Sequence, residues 1–265
     1  MRKVVILWSL VALVVGSLAV LGWADALDDV LARGTLIVCT EPGNVPWTYE
    51  DPATGKWTGF TIELVQMYAD ELGVSLEVKG FDWAGVIPAL LAGKADMIAA
   101  PLSRTIPRSA KILYCEPYII APGVAVVRKG EFTSLEQLNA PDVVLTTTIG
   151  SIHEEIGRKK FPLATMSPVP TVADHNAALA AGRADAILTG KFVGEKIVAQ
   201  YPNFEILPGY TFMDSFACAV RFDSFKLWQS FNLFMRLIKL DGRYAELYKK
   251  WFGVEWVPYN IETAN

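Results

Sequence analysis

The sequence predicts an α/β protein with mostly parallel sheets, arranged as two similar lobes. Three observations carry this. Short apolar runs alternate with longer stretches of helical spacing, glycines stand where helices would end, and one helix-to-strand step occurs twice. Thr35 to Cys39 (TLIVC) reads as a buried strand, and Pro42, Gly43 and Pro46 break it into a loop. Phe60 to Leu72 has helical spacing through Ile62, Val65, Tyr68 and Leu72, with Gly73 at the C-cap position. Val74 to Val78 is the next strand, Ala84 to Leu91 a helix stopped by Gly93, and Met97 to Ala100 a strand again. The repeated step is Leu91-Ala92-Gly93-Lys94-Ala95-Asp96-Met97-Ile98 against Ala180-Ala181-Gly182-Arg183-Ala184-Asp185-Ala186-Ile187. Its two aspartates are 185 − 96 = 89 residues apart, too far for a solenoid repeat. That spacing suits one copy per lobe, against a chance recurrence of a common turn.

Arg2 and Lys3 precede an uncharged run from Val4 to Trp23, followed by the small-x-small sites Gly22-Trp23-Ala24 and Ala24-Asp25-Ala26. This is the pattern of a secretory signal over residues 1–26. The run is long for a signal, so an uncleaved N-terminal anchor is the alternative. Either way the rest of the chain faces outward. Removing residues 1–26 takes away Arg2, Lys3 and Asp25 and moves the net charge from −4 to −5.

At 52% hydrophobic residues and 265 residues long, the chain is no disordered polymer and can bury one or two cores. An acidic pI near 5.3, with no basic run longer than Arg158-Lys159-Lys160, speaks against nucleic acid as a partner. Cys39, Cys115 and Cys218 lie in apolar, strand-like contexts and read as buried thiols, with one disulfide as the alternative. Two histidines and no HExxH or CxxC give no metal-site signal, and no cofactor is expected.

Read in order, the segments resemble the family 3 extracellular solute-binding proteins of bacterial ABC transporters, from about Leu27 to Gly253. RGTLIVCTEPGNVPW looks like that family's first strand and ligand loop. GFTIELVQMYADELG looks like its first helix, with Glu63 where Asp is usual. WAGVIPALLAGKADMIAAPLSRTIPRSAKILYCEPY looks like its signature stretch, with Cys115 in place of Ser. DGRYAELYKKWFG looks like its closing helix. The resemblance implies a periplasmic-binding-protein-like fold, two Rossmann-like lobes joined by a two-strand hinge. Lobe 1 would comprise residues 27–118 and 218–260 and lobe 2 residues 123–214, with hinges near 117–123 and 214–218. It further implies a monomer that traps a small-molecule ligand by hinge closure and delivers it to permease subunits.

The resemblance also nominates ligand contacts. Arg108, five residues after Ser103, matches the arginine that grips a ligand carboxylate, and a guanidinium offers that group a bidentate fork. The competing reading is a surface arginine in a helix's first turn. Trp47 and Trp83 match aromatic positions that sandwich the ligand, against the alternative of core packing. Glu41 sits where an acid often meets a ligand amine. Thr147-Thr148-Ile149-Gly150-Ser151 ahead of a helix is a ready anion site, and Ser151 with Glu154 also reads as a capping box. Pro101, Thr148, Gly150, Thr189 and Gly190 complete the expected wall.

One departure matters. The family's amino-acid binders usually place an Asp after the second-lobe strand for the α-ammonium, and here that position is Gly190, followed by Lys191. Either Glu41 takes over the amine, or the ligand's cation is quaternary, cyclic or absent and lies over Trp47 and Trp83. An enzyme on the same fold, like the cyclohexadienyl dehydratases, is a second function class; its general acid would have to be His153 or Glu154, both readable as exposed helix residues. A sensor domain of a signalling protein is the third, with no second membrane span or kinase after Asn265 to support it.

Overall fold

The structure, a computed structural model, describes residues 25–258. The signal-like segment lies outside them except for Asp25 and Ala26. Helix α1 (Ala26–Arg33) ends at Gly34 in the left-handed region (φ 71°) and turns directly into β1 (Thr35–Thr40). A two-stranded ribbon, β2 (Tyr49–Glu50) and β3 (Trp57–Thr58), leads to α2 (Phe60–Leu72), and β4 (Ser75–Gly80) pairs with β1 in parallel. Helix α3 (Trp83–Leu91), β5 (Met97–Ile98), the single turn α4 (Ile106–Ser109) and β6 (Leu113–Tyr114) follow. The chain crosses into a second sheet through β7 (Ile119–Arg128). There it forms β8 (Val144–Thr146), α5 (Ile152–Lys160), β9 (Thr165–Met166), α6 (Val172–Ala180), β10 (Ala186–Gly190), α7 (Lys191–Gln200) and β11 (Phe204–Ile206). It returns through β12 (Phe212–Phe216) to β13 (Ala219–Val220), α8 (Phe225–Asp241) and α9 (Arg243–Phe252).

The sheets run β4-β1-β5-β13-β6 and β11-β7-β10-β8-β9, with β12 on β7. The expectation of mostly parallel sheets is corrected. Pairings among β1, β4 and β5 and among β8, β9 and β10 are parallel, but every pairing of β6, β7, β11, β12 and β13 is antiparallel. The reason is connectivity. A chain that crosses between lobes twice brings its crossing strands back against the βαβ core in the opposite sense.

The repeated sequence step has one physical job in both lobes. Asp96 Oδ2 accepts from the Ile37 amide at 2.8 Å and pairs with Arg33; Asp185 Oδ2 accepts from the Val144 amide at 2.8 Å and pairs with Arg128. Each carboxylate ties the strand it begins to the parallel strand beside it.

Leu36, Val38, Phe60, Leu64, Tyr68 and Met97 are buried in the first core, with Phe231, Met235 and Tyr244 from the C-terminal helices. Cys39, Cys115 and Cys218 are buried free thiols, as their context predicts, and burial pushes the Cys39 thiol up to about 12. Among the described residues no helix is long and apolar enough to cross a membrane.

Asp25 belongs to the folded part. It caps α1 in a capping box with Asp28, and its carboxylate accepts from the Lys226 and Leu227 amides of α8 at 2.8 and 3.2 Å.

Candidate ligand-binding cleft

A cavity of about 530 Å³, open solvent at its mouth included, lies between the two sheets. Both lobes line it. From the first come Glu41, Asn44, Trp47, Trp83, Pro101 and Ser103; from the second come Thr147, Thr148, Ser151, Thr189 and Gly190. These sit at the C-terminal ends of β1, β8 and β10 and at helix starts, where an open α/β sheet leaves a crevice.

Glu41 is buried just past β1, and Asn44 Nδ2 donates to its Oε2 at 3.2 Å. Burial pushes its pKa up to about 7; the Asn44 bond opposes that rise and the charge of Asp82 adds to it. Glu41 is the only acid among the lining residues. Ser103 donates its hydroxyl to Asp214 Oδ2 at 2.7 Å. Asp214 stands behind the wall, where burial raises its pKa against the lowering effect of its bonds from Ser103 and the Ser215 amide.

Trp47 takes both roles that were weighed for it. It lines the cleft, yet it is only 2% exposed, with its ring edge-to-face against Phe60, Phe192 and Phe216. Trp83 is half-buried in the wall. Its Nε1–H donates across the cleft to the Gly150 carbonyl at 3.3 Å, and the Arg108 guanidinium lies 5.8 Å from its ring centroid. Since a cation already stands on Trp83, the pair of tryptophans is a poor platform for a ligand cation.

Arg108 and Gly150 are not among the lining residues, contrary to expectation. Arg108 Nη1 donates to the Ser103 carbonyl at 3.1 Å and Nη2 to the Gly150 carbonyl at 3.0 Å. Its fork is spent on two backbone oxygens, one per lobe, so it bridges the seam between them. The capping box at Ser151 also differs. Ser151 Oγ accepts from the Glu154 amide at 3.3 Å, but the Glu154 carboxylate reaches Gly150 N at 2.9 Å and Arg158, one residue short of the N-cap amide.

His153 is not the exposed helix residue that was expected. It lines the cavity, its Nδ1 is buried without a partner, and burial holds its pKa down to about 3, helped by neighbouring His175 and Arg108. His175 lines the cavity too. Burial draws its pKa down to about 4, and its Nδ1 lies 2.9 Å from Asn176 Oδ1. Sequence reasoning named His153 only as a candidate acid for an enzyme and Thr147 only within its loop, and it missed His175, Asn44 and Phe216. His175 sits inside a helical pattern, where spacing alone does not tell a wall residue from a surface one. Lys191 does not crowd the cleft, since its ammonium points to Glu195 at 3.8 Å on α7. Among the described residues no cluster of His, Cys, Asp and Glu could hold a metal ion.

Two α/β lobes closing on a polar cavity define a solute-capturing protein. The family model for bacterial extracellular solute-binding proteins, family 3, matches residues 36–254, and the chain belongs to that family. A probable amino-acid ABC transporter-binding protein of Haemophilus influenzae is 27% identical, covering 92% of this chain and 96% of its own. The L-cystine-binding protein TcyJ of Escherichia coli is 28% identical over 92% and 93%. Among solved structures, an ancestral amino acid-binding protein described as a precursor of cyclohexadienyl dehydratase superposes with a TM-score of 0.80. It is 31% identical and covers 86% of this chain and all of its own. An arginine-bound amino acid ABC transporter substrate-binding protein of Streptococcus pneumoniae gives 0.79 at 26% identity, covering 85% and 98%.

Proposed function

We propose that this protein is the exported receptor subunit of a bacterial ABC importer, acting as a monomer that delivers a small amino-acid-like, carboxylate-bearing solute to permease subunits. The observation that carries the reading is the cavity walled by both lobes, with one buried acid, Glu41, on the first and a polar loop at a helix start, Thr147 to Ser151, on the second. Residues 27–118 with 218–260, and 123–214, move as two bodies about the β7 and β12 crossings and trap the solute between them. Glu41 faces the ligand's donor or cationic end, and Thr148 and Ser151 face its carboxylate. Arg108 joins the carboxylate by exchanging the Gly150 carbonyl for it, a swap that keeps both guanidinium donors satisfied.

Of the two cleavage-like sites, the one after Ala24 fits the fold. Cleavage after Ala26 would delete the Asp25 cap, whereas cleavage after Ala24 leaves it and gives a net charge of −6, since only Arg2 and Lys3 are lost from −4.

Mass spectrometry of small molecules released from the purified, denatured protein tests the reading, with calorimetry against the L-amino acids beside betaine-like and ectoine-like compounds. A retained or titrated amino-acid-like solute is expected. Absence of binding at millimolar concentration across the panel would reject it. One observation favours a second reading, an enzyme on this fold: a buried carboxyl with a pKa near 7 is also what a general acid needs. The relatives' description as binding proteins weighs against it, and product formation abolished by Glu41→Gln would establish it.

A further inference from the structure

Two of the three cysteines stand opposite each other at the root of the hinge. β6 and β13 pair antiparallel, with Leu113 opposite Val220 and Tyr114 opposite Ala219. One step further, that register sets Cys115 against Cys218, and the Cys115 amide donates to the Cys218 carbonyl at 2.9 Å. Directly opposed, hydrogen-bonded residues have Cα atoms about 5.5 Å apart, inside the span of about 4.4–6.8 Å that a disulfide bridges. Strand alternation decides which face each side chain takes. Leu113, Cys115, Cys218 and Val220 pack in the first core, whereas Tyr114, Ala219 and Cys39 pack on the opposite face of the sheet. Cys39 is thus on the wrong face, and its thiol donates to the Val86 carbonyl at 3.6 Å. The position also departs from the resembled family, which has Ser where Cys115 stands. β7 starts at Ile119, just after Cys115, and β12 ends at Phe216, just before Cys218. The pair therefore sits where the chain leaves the first sheet and where it returns.

We propose that Cys115 and Cys218 are the site of a disulfide in the exported protein, a staple that ties the two crossings together where they join the first lobe. It rests on the exported-receptor reading, because the bond needs an oxidising compartment. The structure holds the dithiol form. The oxidant is the disulfide of an envelope thiol oxidoreductase. One cysteine thiolate attacks it and forms a mixed disulfide, and the second thiolate then displaces the oxidoreductase as a dithiol. Two protons and two electrons leave the pair; one S–S bond forms here and one breaks in the oxidant.

Burial fixes the order of events. Cys115 is 3% exposed and Cys218 fully buried, and burial holds both thiols well above their ordinary range. Thiols so placed are inert to exchange, so the bond forms before the first core closes. Once made, the same burial keeps reductants out. The bond closes a loop of 218 − 115 = 103 residues that carries the whole second sheet, so it restrains the unfolded chain strongly. In the folded molecule it fixes the spacing of the two crossings on the first-lobe side. Hinge bending is then left to β7 and β12 themselves.

Alkylation of the exported protein with N-ethylmaleimide in denaturant, followed by intact mass and peptide mapping, reads the state of the pair. One adduct, on Cys39, is expected without reductant and three after reduction, with Cys115 and Cys218 recovered in one linked peptide pair. Reduction should lower the apparent Tm of wild type by about 5–15 °C. Cys115→Ser, which restores the residue of the resembled family, should melt below oxidised wild type and show no further fall on reduction. Three adducts without reductant, or a bond that includes Cys39, overturns this inference alone, whatever solute the protein binds. So does a wild-type melting point that reduction leaves unchanged. A chain found wholly in the cytosol overturns the receptor reading and this inference with it.

Discussion

Glu41 is the residue whose environment says most. Its carboxyl is pushed up to about 7 by burial, from an ordinary value of 4.5. Between those values the folded state holds a proton that the unfolded chain has lost, so stability falls as pH rises through this window and is flat above it. The shift corresponds to about 3 kcal/mol. Glu41→Gln keeps the bond from Asn44 and removes the titration. The ligand-free variant should therefore be more stable than wild type at pH 8, by up to that amount, with the gap closing near pH 4.5 in urea unfolding. His153 and His175 pull the opposite way. Their folded pKa values, about 3 and about 4, lie below the ordinary 6.5, so their contribution is lost as pH falls below 6.5. Replacing either by Leu should flatten the acid limb. Arg108 tests the carboxylate assignment: Arg108→Ala should cost about 2–5 kcal/mol of binding with little change in ligand-free melting. Arg108→Lys should not restore it, because an ammonium cannot hold the Ser103 carbonyl and the ligand carboxylate through one planar fork. Glu41 was legible from the motif TEPGNVPW. His153 was not, because a helix position reads as a surface one until the opposite lobe is in place.

At the scale of elements, the strands and helices followed their patterns closely where glycine or proline punctuated them. Phe60–Leu72 spans the residues its spacing predicts, and Gly73 takes the left-handed C-cap (φ 68°). What patterning did not supply was strand direction. β7 is an apolar run like any parallel strand, and only the crossing makes its pairing with β12 antiparallel. The start of α1 was also hidden, since Asp25 looked like part of a cleavage motif. Its carboxylate satisfies the Leu27 amide and two amides of α8, so one side chain joins the first helix to the eighth. Asp25→Ala should therefore cost roughly 2 kcal/mol, more than an isolated cap, in denaturant unfolding. N-terminal sequencing of the secreted protein should begin at Asp25; a start at Leu27 would mean that the fold tolerates losing this tie.

The whole molecule is held closed by more than its seam of polar contacts. Phe192, the second residue of α7, reaches out of the second lobe to Trp47 at 5.6 Å and Phe252 at 4.4 Å between ring centroids, and the first-lobe core continues through it into Val193 and Ile197. Trp83 and Arg108 meet Gly150 on the far side of the cleft. Closure thus joins two aromatic contacts to one pair of hydrogen bonds, each small enough for hinge motion to break. Two lobes were legible from the repeated Ala-Asp step, but Phe192 was not, because an aromatic at a helix start carries no mark of which lobe it will touch. Its removal should shift the open–closed balance without disturbing either core. Losing the aromatic contacts is worth about 1–3 kcal/mol, so the competent fraction falls and the apparent dissociation constant of Phe192→Ala rises by roughly five- to a hundredfold. X-ray scattering separates this from a lost ligand contact. Wild type should compact on ligand addition, and ligand-free Phe192→Ala should show a larger radius of gyration than ligand-free wild type, with both converging at saturation. Equal radii in the ligand-free proteins would place the closing force in the Gly150 seam instead.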